Sequence, residues 1–257
     1  MNWKQTLFWS FSAAAIFYYF LLFGVFVFVG QEEMQLFIPE WWYIREFLFQ
    51  PGGFCAVAGQ WIIQYYRQPM SAVVFHTVLL VGCGFMVYRI LRCFSDKTYL
   101  LFLSLLPVLY LVKMSIHGEY LVDGTVGVVL MLLALSVSLK VRRAGSIAGY
   151  GIASTLFLCG LTGLLSVCYA FLYTLLALLR YKTSRQRLAA SACLIPALFI
   201  YLFSGWLGIP VPLSDGWMPE AYLEIQRLPH YYMYRVWTFF TLSIVGVALF
   251  ARFVLVI

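Results

Sequence analysis

Charge is what this sequence has least of. Asp, Glu, Lys and Arg together make up 11% of its 257 residues, where a water-soluble domain carries roughly a quarter. So few charges cannot cover a protein of this size in water, which leaves lipid as the main solvent. Acid is the scarcer sign, with ten Asp and Glu against 17 Lys and Arg. Signatures of several soluble enzyme classes are missing too. There is no G-x-S-x-G, Walker A loop, H-E-x-x-H or G-x-G-x-x-G, so those chemistries have no support. The six cysteines, Cys55, Cys83, Cys93, Cys159, Cys168 and Cys193, contain no C-x-x-C pair. All but Cys55 fall in or beside apolar runs, so they read as small buried hydrophobes. Internal repeats and low-complexity tracts are absent.

What is present is apolar and aromatic: 63% and 19% of the chain. A bilayer-crossing helix takes about 20 apolar residues, and the sequence predicts an all-α, polytopic bundle of about eight spans. They are placed at 7–30, 69–91, 98–112, 121–139, 144–160, 163–179, 188–206 and 236–257. The first run, after Lys4, begins like a signal peptide but continues too far and meets no A-x-A-like site, so it reads as a retained span. The run from 144 to 179 is too long for one crossing and has basic clusters at both ends. Both ends therefore belong on one side, which requires two crossings that turn near Gly160 and Gly163. Outer loops occupy 31–68 and 207–235. In the first, Pro39 suits the start of a helix through Trp41, and Pro51-Gly52-Gly53 marks a break. Beyond it Phe54, Val57, Ala58, Trp61, Ile62 and Tyr65 recur at helical spacing, with Gln60, Gln64 and Arg67 opposite. Such a helix suits the membrane interface. The chain ends on an apolar Val254–Ile257 stretch with no polar tail, and is expected to be part of a longer protein.

Charge orients this path. One side receives twelve cations: Lys4, Arg89, Arg92, Lys97, Lys140, Arg142, Arg143, Arg180, Lys182, Arg185, Arg187 and Arg252. The other receives the remaining five of the 17, Arg45, Arg67, Lys113, Arg227 and Arg235. The richer side is assigned to the cytoplasm, with the N-terminus there. Scattered in this way, the cations make no single basic patch, and no nucleic-acid partner is expected. Only Asp96 among the ten acids falls inside. The outer face therefore concentrates carboxylates, and those are the candidates for chemistry.

Gln31-Glu32-Glu33 stands at the outer mouth of the first span. Adjacent carboxylates beside a low-dielectric boundary repel, which favours one holding a proton, so Glu32 and Glu33 are candidate catalytic acid–base groups. They are also candidate donors to a divalent cation such as Mg or Mn. The plain alternative is that they mark the span's end. A second cluster, Lys113, His117, Glu119 and Asp123, lies between the third and fourth spans. Glu119 and Asp123 would share a helical face, and Lys113 could neutralise a phosphate. One H-x-E is too little for a zinc site. Arg227, His230 and Arg235 in the last outer loop suit an anionic head group, or interfacial snorkelling. His76, inside a span, is expected to be hydrogen-bonded within the bundle.

The arrangement of Gln31-Glu32-Glu33, the helical stretch through Tyr66, and His117-Gly118-Glu119 with Asp123 resembles the GT-C superfamily of integral-membrane glycosyltransferases. That superfamily includes the protein mannosyltransferases, lipid A aminoarabinose transferases and oligosaccharyltransferase catalytic subunits. The likeness covers about residues 1–140 and is one of architecture. It implies a sugar moved from a polyprenyl-phosphate donor to an acceptor hydroxyl outside the cytoplasm. Glu32 or Glu33 would then be the base or metal-side acid. Glu119 or Asp123 would position donor or acceptor, with Lys113 and His117 near the phosphate. The first-loop pair is Glu-Glu where those enzymes carry an Asp, no soluble outer domain follows, and the span count is lower. Residues 31–37 with Pro51-Gly52-Gly53 also look similar to a family of uncharacterised bacterial multi-span proteins, which implies the bacterial cytoplasmic membrane. Two other readings stand beside the enzyme: a non-catalytic subunit packed on a membrane-protein partner, and a transporter or flippase for a lipid-linked substrate. The near absence of midplane charge counts against ion-coupled transport, and the Gly160–Gly163 break is the hint in its favour.

Overall fold

A computed structural model describes residues 3–34, 37–95, 97–116, 122–203, 242–246 and 248–249. Every regular element named among them is helical. Apolar runs without polar backbone partners must satisfy their own N–H and C=O groups, and a helix does this within one segment.

The first run forms two helices, α1 (Trp3–Phe23) and α2 (Val25–Met34). They abut at Gly24, and helical hydrogen bonds run on through it, Gly24 N–H donating to the Phe20 carbonyl at 2.8 Å and Phe28 N–H to the Gly24 carbonyl at 3.0 Å. The first outer loop is itself structured as α3 (Trp41–Leu48), α4 (Gly53–Ile63) and a 3₁₀ turn, Gln64–Arg67. A helix begins at Pro69, whose fixed φ and missing N–H suit a first position, and α5 runs Pro69–Leu91. Next come α6 (Leu100–Met114), α7 (Val122–Ser138), α8 (Ala144–Thr162) and α9 (Leu165–Arg180). The turn between the last two sits at Gly163, whose φ of 61° is left-handed, beside the expected point.

Within the seventh expected span the chain forms two helices, α10 (Ser184–Ser191) and α11 (Leu194–Leu202). Pro196 lies in the first turn of α11 and has no N–H to give the carbonyl of Ala192, so an unbroken helix would lose a bond there. The outer loop at 207–235 and most of the last expected span lie outside the described residues.

Hydrogen bonds sort the helices into two ends. At one end Gln5 Nε2 donates to Tyr88 Oη at 2.9 Å, Tyr181 Oη to the Val141 carbonyl at 2.7 Å, and Gln186 Nε2 to the Arg142 carbonyl at 2.6 Å. Cys93 lies near enough to Tyr181 to act on it electrostatically, which joins the N-terminal and C-terminal groups of helices at that end. At the other end Gly52 N–H donates to the Gly160 carbonyl at 3.1 Å and Gln64 Nε2 to the Phe37 carbonyl at 3.0 Å. The first end carries Lys4, Arg89, Arg92, Lys140, Arg142, Arg143, Arg180, Lys182, Arg185 and Arg187. The second carries Glu32 and Asp123.

One continuous core joins α1 to α9, with Phe20, Phe28, Tyr66, Tyr169 and Tyr173 fully enclosed. Three helices, α1, α5 and α8, are long and apolar enough to cross a membrane, while α6, α7 and α9 are apolar but shorter. Large apolar side chains are left outward: Phe11 of α1 is 78% exposed, Phe26 of α2 89% and Phe157 of α8 68%. So much exposed apolar surface suits lipid better than water, and helices of this length and composition could associate with a membrane.

Candidate functional site

Glu32 is half-buried in the last turn of α2, next to a buried Gln31. A helix C-terminus carries partial negative charge, so a carboxylate there is disfavoured by roughly 0.3–1 kcal/mol. Glu33 is helical, and its side chain lies outside what is described. Among the described residues no group of three or more His, Cys, Asp or Glu is placed to hold a metal ion.

Residues 37–67 fold over the same end of the bundle. Tyr43 Oη donates to Gln60 Oε1 at 3.1 Å, which ties α3 to α4. Trp41 and Trp42 stay 69% and 60% exposed. The break at Pro51-Gly52-Gly53 has a physical cause. Gly52 takes φ of 85°, and a side chain on Gly53 would collide with the Phe47 carbonyl. The Gly52 turn rests directly on Gly163, so two breaks read separately from the sequence meet in space.

From there α4, 11 residues and about 16 Å long, runs across the start of α7 toward α2 and α5. Its buried side is Gly53, Cys55, Gly59, Ile62 and Ile63. Of the face read from the sequence only Ile62 is buried. Phe54, Trp61 and Tyr65 point outward, at 40–46% exposure. The small residues of α4 are the ones that permit close approach to the bundle, while its aromatics are left on the outward side.

Asp123 is what they approach. It is half-buried in the first turn of α7, where the helix dipole favours an acid, and its Oδ1 accepts the Gly124 N–H at 2.6 Å. A Cβ on Gly59 would stand 2.7 Å from Asp123 Cβ and 2.9 Å from its Cα. One turn along, Cys55 Sγ lies against Gly127. Burial, with the Asp123 carboxylate adding to it, pushes the Cys55 thiol up to about 12. A thiol so protonated is no nucleophile at neutral pH.

The structure brings the α2 end bearing Glu32 and the α7 start bearing Asp123 to one end of the bundle, on either side of α4. Lys113 is exposed in the last turn of α6, which opens toward the same end. The remaining sequence candidates, His117, Glu119, Arg227, His230 and Arg235, lie outside the described residues. Sequence reasoning missed Tyr66. Its hydroxyl meets His76 Nε2 at 2.6 Å in a buried box, where the imidazole stacks on Phe28 at 4.3 Å between centroids. A tyrosine ten positions before a span histidine gave no spacing signal.

Comparison with curated proteins finds no match, and comparison with solved structures finds none. A family model does match, over residues 1–256, and the chain belongs to that family of unknown function, DUF6057.

Proposed function

We propose that this protein is a multi-pass membrane glycosyltransferase of GT-C type, acting at the acidic end of the bundle. On this reading about eight segments cross a bacterial cytoplasmic membrane, with the basic end and the N-terminus in the cytoplasm. The donor is a sugar linked to polyprenyl phosphate. An acceptor hydroxyl attacks the anomeric carbon and gives its proton to Glu32 or Glu33. The glycosidic C–O bond to phosphate breaks with its electron pair on the lipid phosphate, and Lys113 offsets the charge that collects there. Asp123 orients a sugar hydroxyl.

One observation carries the reading: an interfacial helix, α4, laid across the acid-bearing mouths of two apolar helices, Glu32 to one side and Asp123 beneath. Lipid would reach such a mouth sideways, and residues bearing carboxylates stand at it, which is what transfer from a membrane-bound donor needs. The test is sugar transfer from polyprenyl-phosphate hexose or pentose in membranes holding the protein. The Glu32→Gln, Glu33→Gln double variant is expected to lose 10²-fold or more, the usual scale for a general base, ~10²–10⁴. Wild-type rates in that variant would remove the pair from the mechanism.

A second reading, a non-catalytic subunit, has one observation of its own. Gly59 closes one face of Asp123 with no room for a side chain, so this acid can serve packing alone. No transfer by the wild type from any such donor, together with co-purification of a stoichiometric membrane protein, would select that reading.

A further inference from the structure

The basic end holds a groove that the proposed transfer leaves without a role. It lies between α9 and α10 as a shallow, open groove with room for about 480 Å³. Its walls are mainly apolar, with Leu178 of α9 and Leu188 of α10 among its lining residues. Arg185 and Arg187, from the first turns of α10, also line it. Arg187 is oriented, since its Nε donates to the Tyr181 carbonyl at 2.8 Å. The start of α10 is fixed as well, by Thr183 Oγ1 donating to Gln186 Oε1 at 3.0 Å and by the Gln186–Arg142 bond. This part of the chain also has no counter-charge of its own, because no Asp or Glu occurs between Asp123 and Asp215. Seven cations fall in that interval: Lys140, Arg142, Arg143, Arg180, Lys182, Arg185 and Arg187.

We propose that this groove binds one anionic phospholipid of the cytoplasmic leaflet, its phosphodiester held by Arg185 and Arg187 and an acyl chain laid between Leu178 and Leu188. Charge complementarity fixes the sign of the occupant, and the apolar walls exclude a free anion as the whole ligand. Basic pockets between membrane helices on the cytoplasmic side recognise acidic head groups in this way. A random excess of inner-leaflet cations would need no groove.

The proposal rests on the bundle sitting in a membrane with its basic end at the cytoplasmic leaflet, and not on the glycosyltransferase chemistry. Purified full-length protein in neutral detergent reads the groove whatever the orientation. Phosphatidylglycerol is expected to raise its melting temperature and to survive as a single adduct in native mass spectrometry, whereas phosphatidylcholine does neither. Arg185→Gln with Arg187→Gln should weaken phosphatidylglycerol binding by roughly tenfold or more. Arg142→Gln with Arg143→Gln, which removes as much charge at the same end, should change it less than about threefold. Leu188→Trp keeps every charge, fills the groove and should also lose the adduct. Should the arginine double variant fail to fold, Leu188→Trp decides alone. Equal losses from the two arginine pairs, wild-type binding by Leu188→Trp, or equal binding of phosphatidylcholine would overturn the assignment.

Discussion

Tyr66 and His76 make the polar contact on which the seat of the outer layer depends. Both are fully buried, their bond is 2.6 Å, and among the described residues His76 Nδ1 has no partner. Removing one member strands the other in an apolar box, whereas removing both leaves shape without an unpaired group. Tyr66→Phe is expected to lower stability by about 1–3 kcal/mol, read as a fall in melting temperature in detergent. With His76→Phe added, the further loss should be much smaller than His76→Phe causes alone, a coupling a double-mutant cycle measures. Strict additivity would show that the bond contributes nothing. At this scale the sequence made His76 legible, because an ionisable group inside an apolar run needs a partner. Asp123 was legible for the same reason. Gly59 was not: a glycine within a helix reads only as a weakness, and its contact with Asp123 joins chain segments no periodicity connects.

Among elements, breaks were easier to read than faces. Pro51-Gly52-Gly53 and Gly160 to Gly163 announce themselves by residues that cannot continue a helix, and the structure places turns at both. The break before Pro196 leaves no mark in the hydropathy, because the apolar run continues through it and hydropathy is blind to a missing N–H. The inward face of α4 was not legible, because hydropathy does not tell its outward aromatics from its inward side, and small size at Gly53, Cys55 and Gly59 marks the contact. The Gly52 turn turns this into a prediction. Its φ of 85°, and the Gly163 backbone N that an added Cβ would meet at 3.3 Å, make Gly52→Ala costly, by about 1–2 kcal/mol for the left-handed conformation alone. Gly149→Ala, in a helix with nothing within 4 Å, should instead leave stability unchanged or raise it by up to ~1 kcal/mol. Melting temperatures of the two variants should therefore move apart. A harmless Gly52→Ala would mean that the loop layer is not locked to the α8–α9 turn.

For the whole molecule, the separation of charge is the property from which orientation follows. Along α5, 23 residues at ~1.5 Å each give about 35 Å, enough to cross a hydrocarbon layer ~30 Å thick. Arg89 stands in its last turn, while the loop helices pack at its first. Cations at the cytoplasmic surface are favoured by the way membranes receive helices, and acids carry little weight in that choice. The acidic end should therefore face outward because the basic end cannot. Single cysteines placed at Gln50 and at Arg143, both exposed, in a background with the six native cysteines replaced, read the two ends directly. An impermeant maleimide added to intact spheroplasts is expected to label Gln50→Cys at once and Arg143→Cys only after permeabilisation. Labelling of both from outside would mean that the helices between them do not cross. The reverse pattern would put the acids in the cytosol and the arginine groove on the outer leaflet. In the first case no sealed bilayer separates the ends, and in the second the proposed donor and the proposed lipid each face the wrong side.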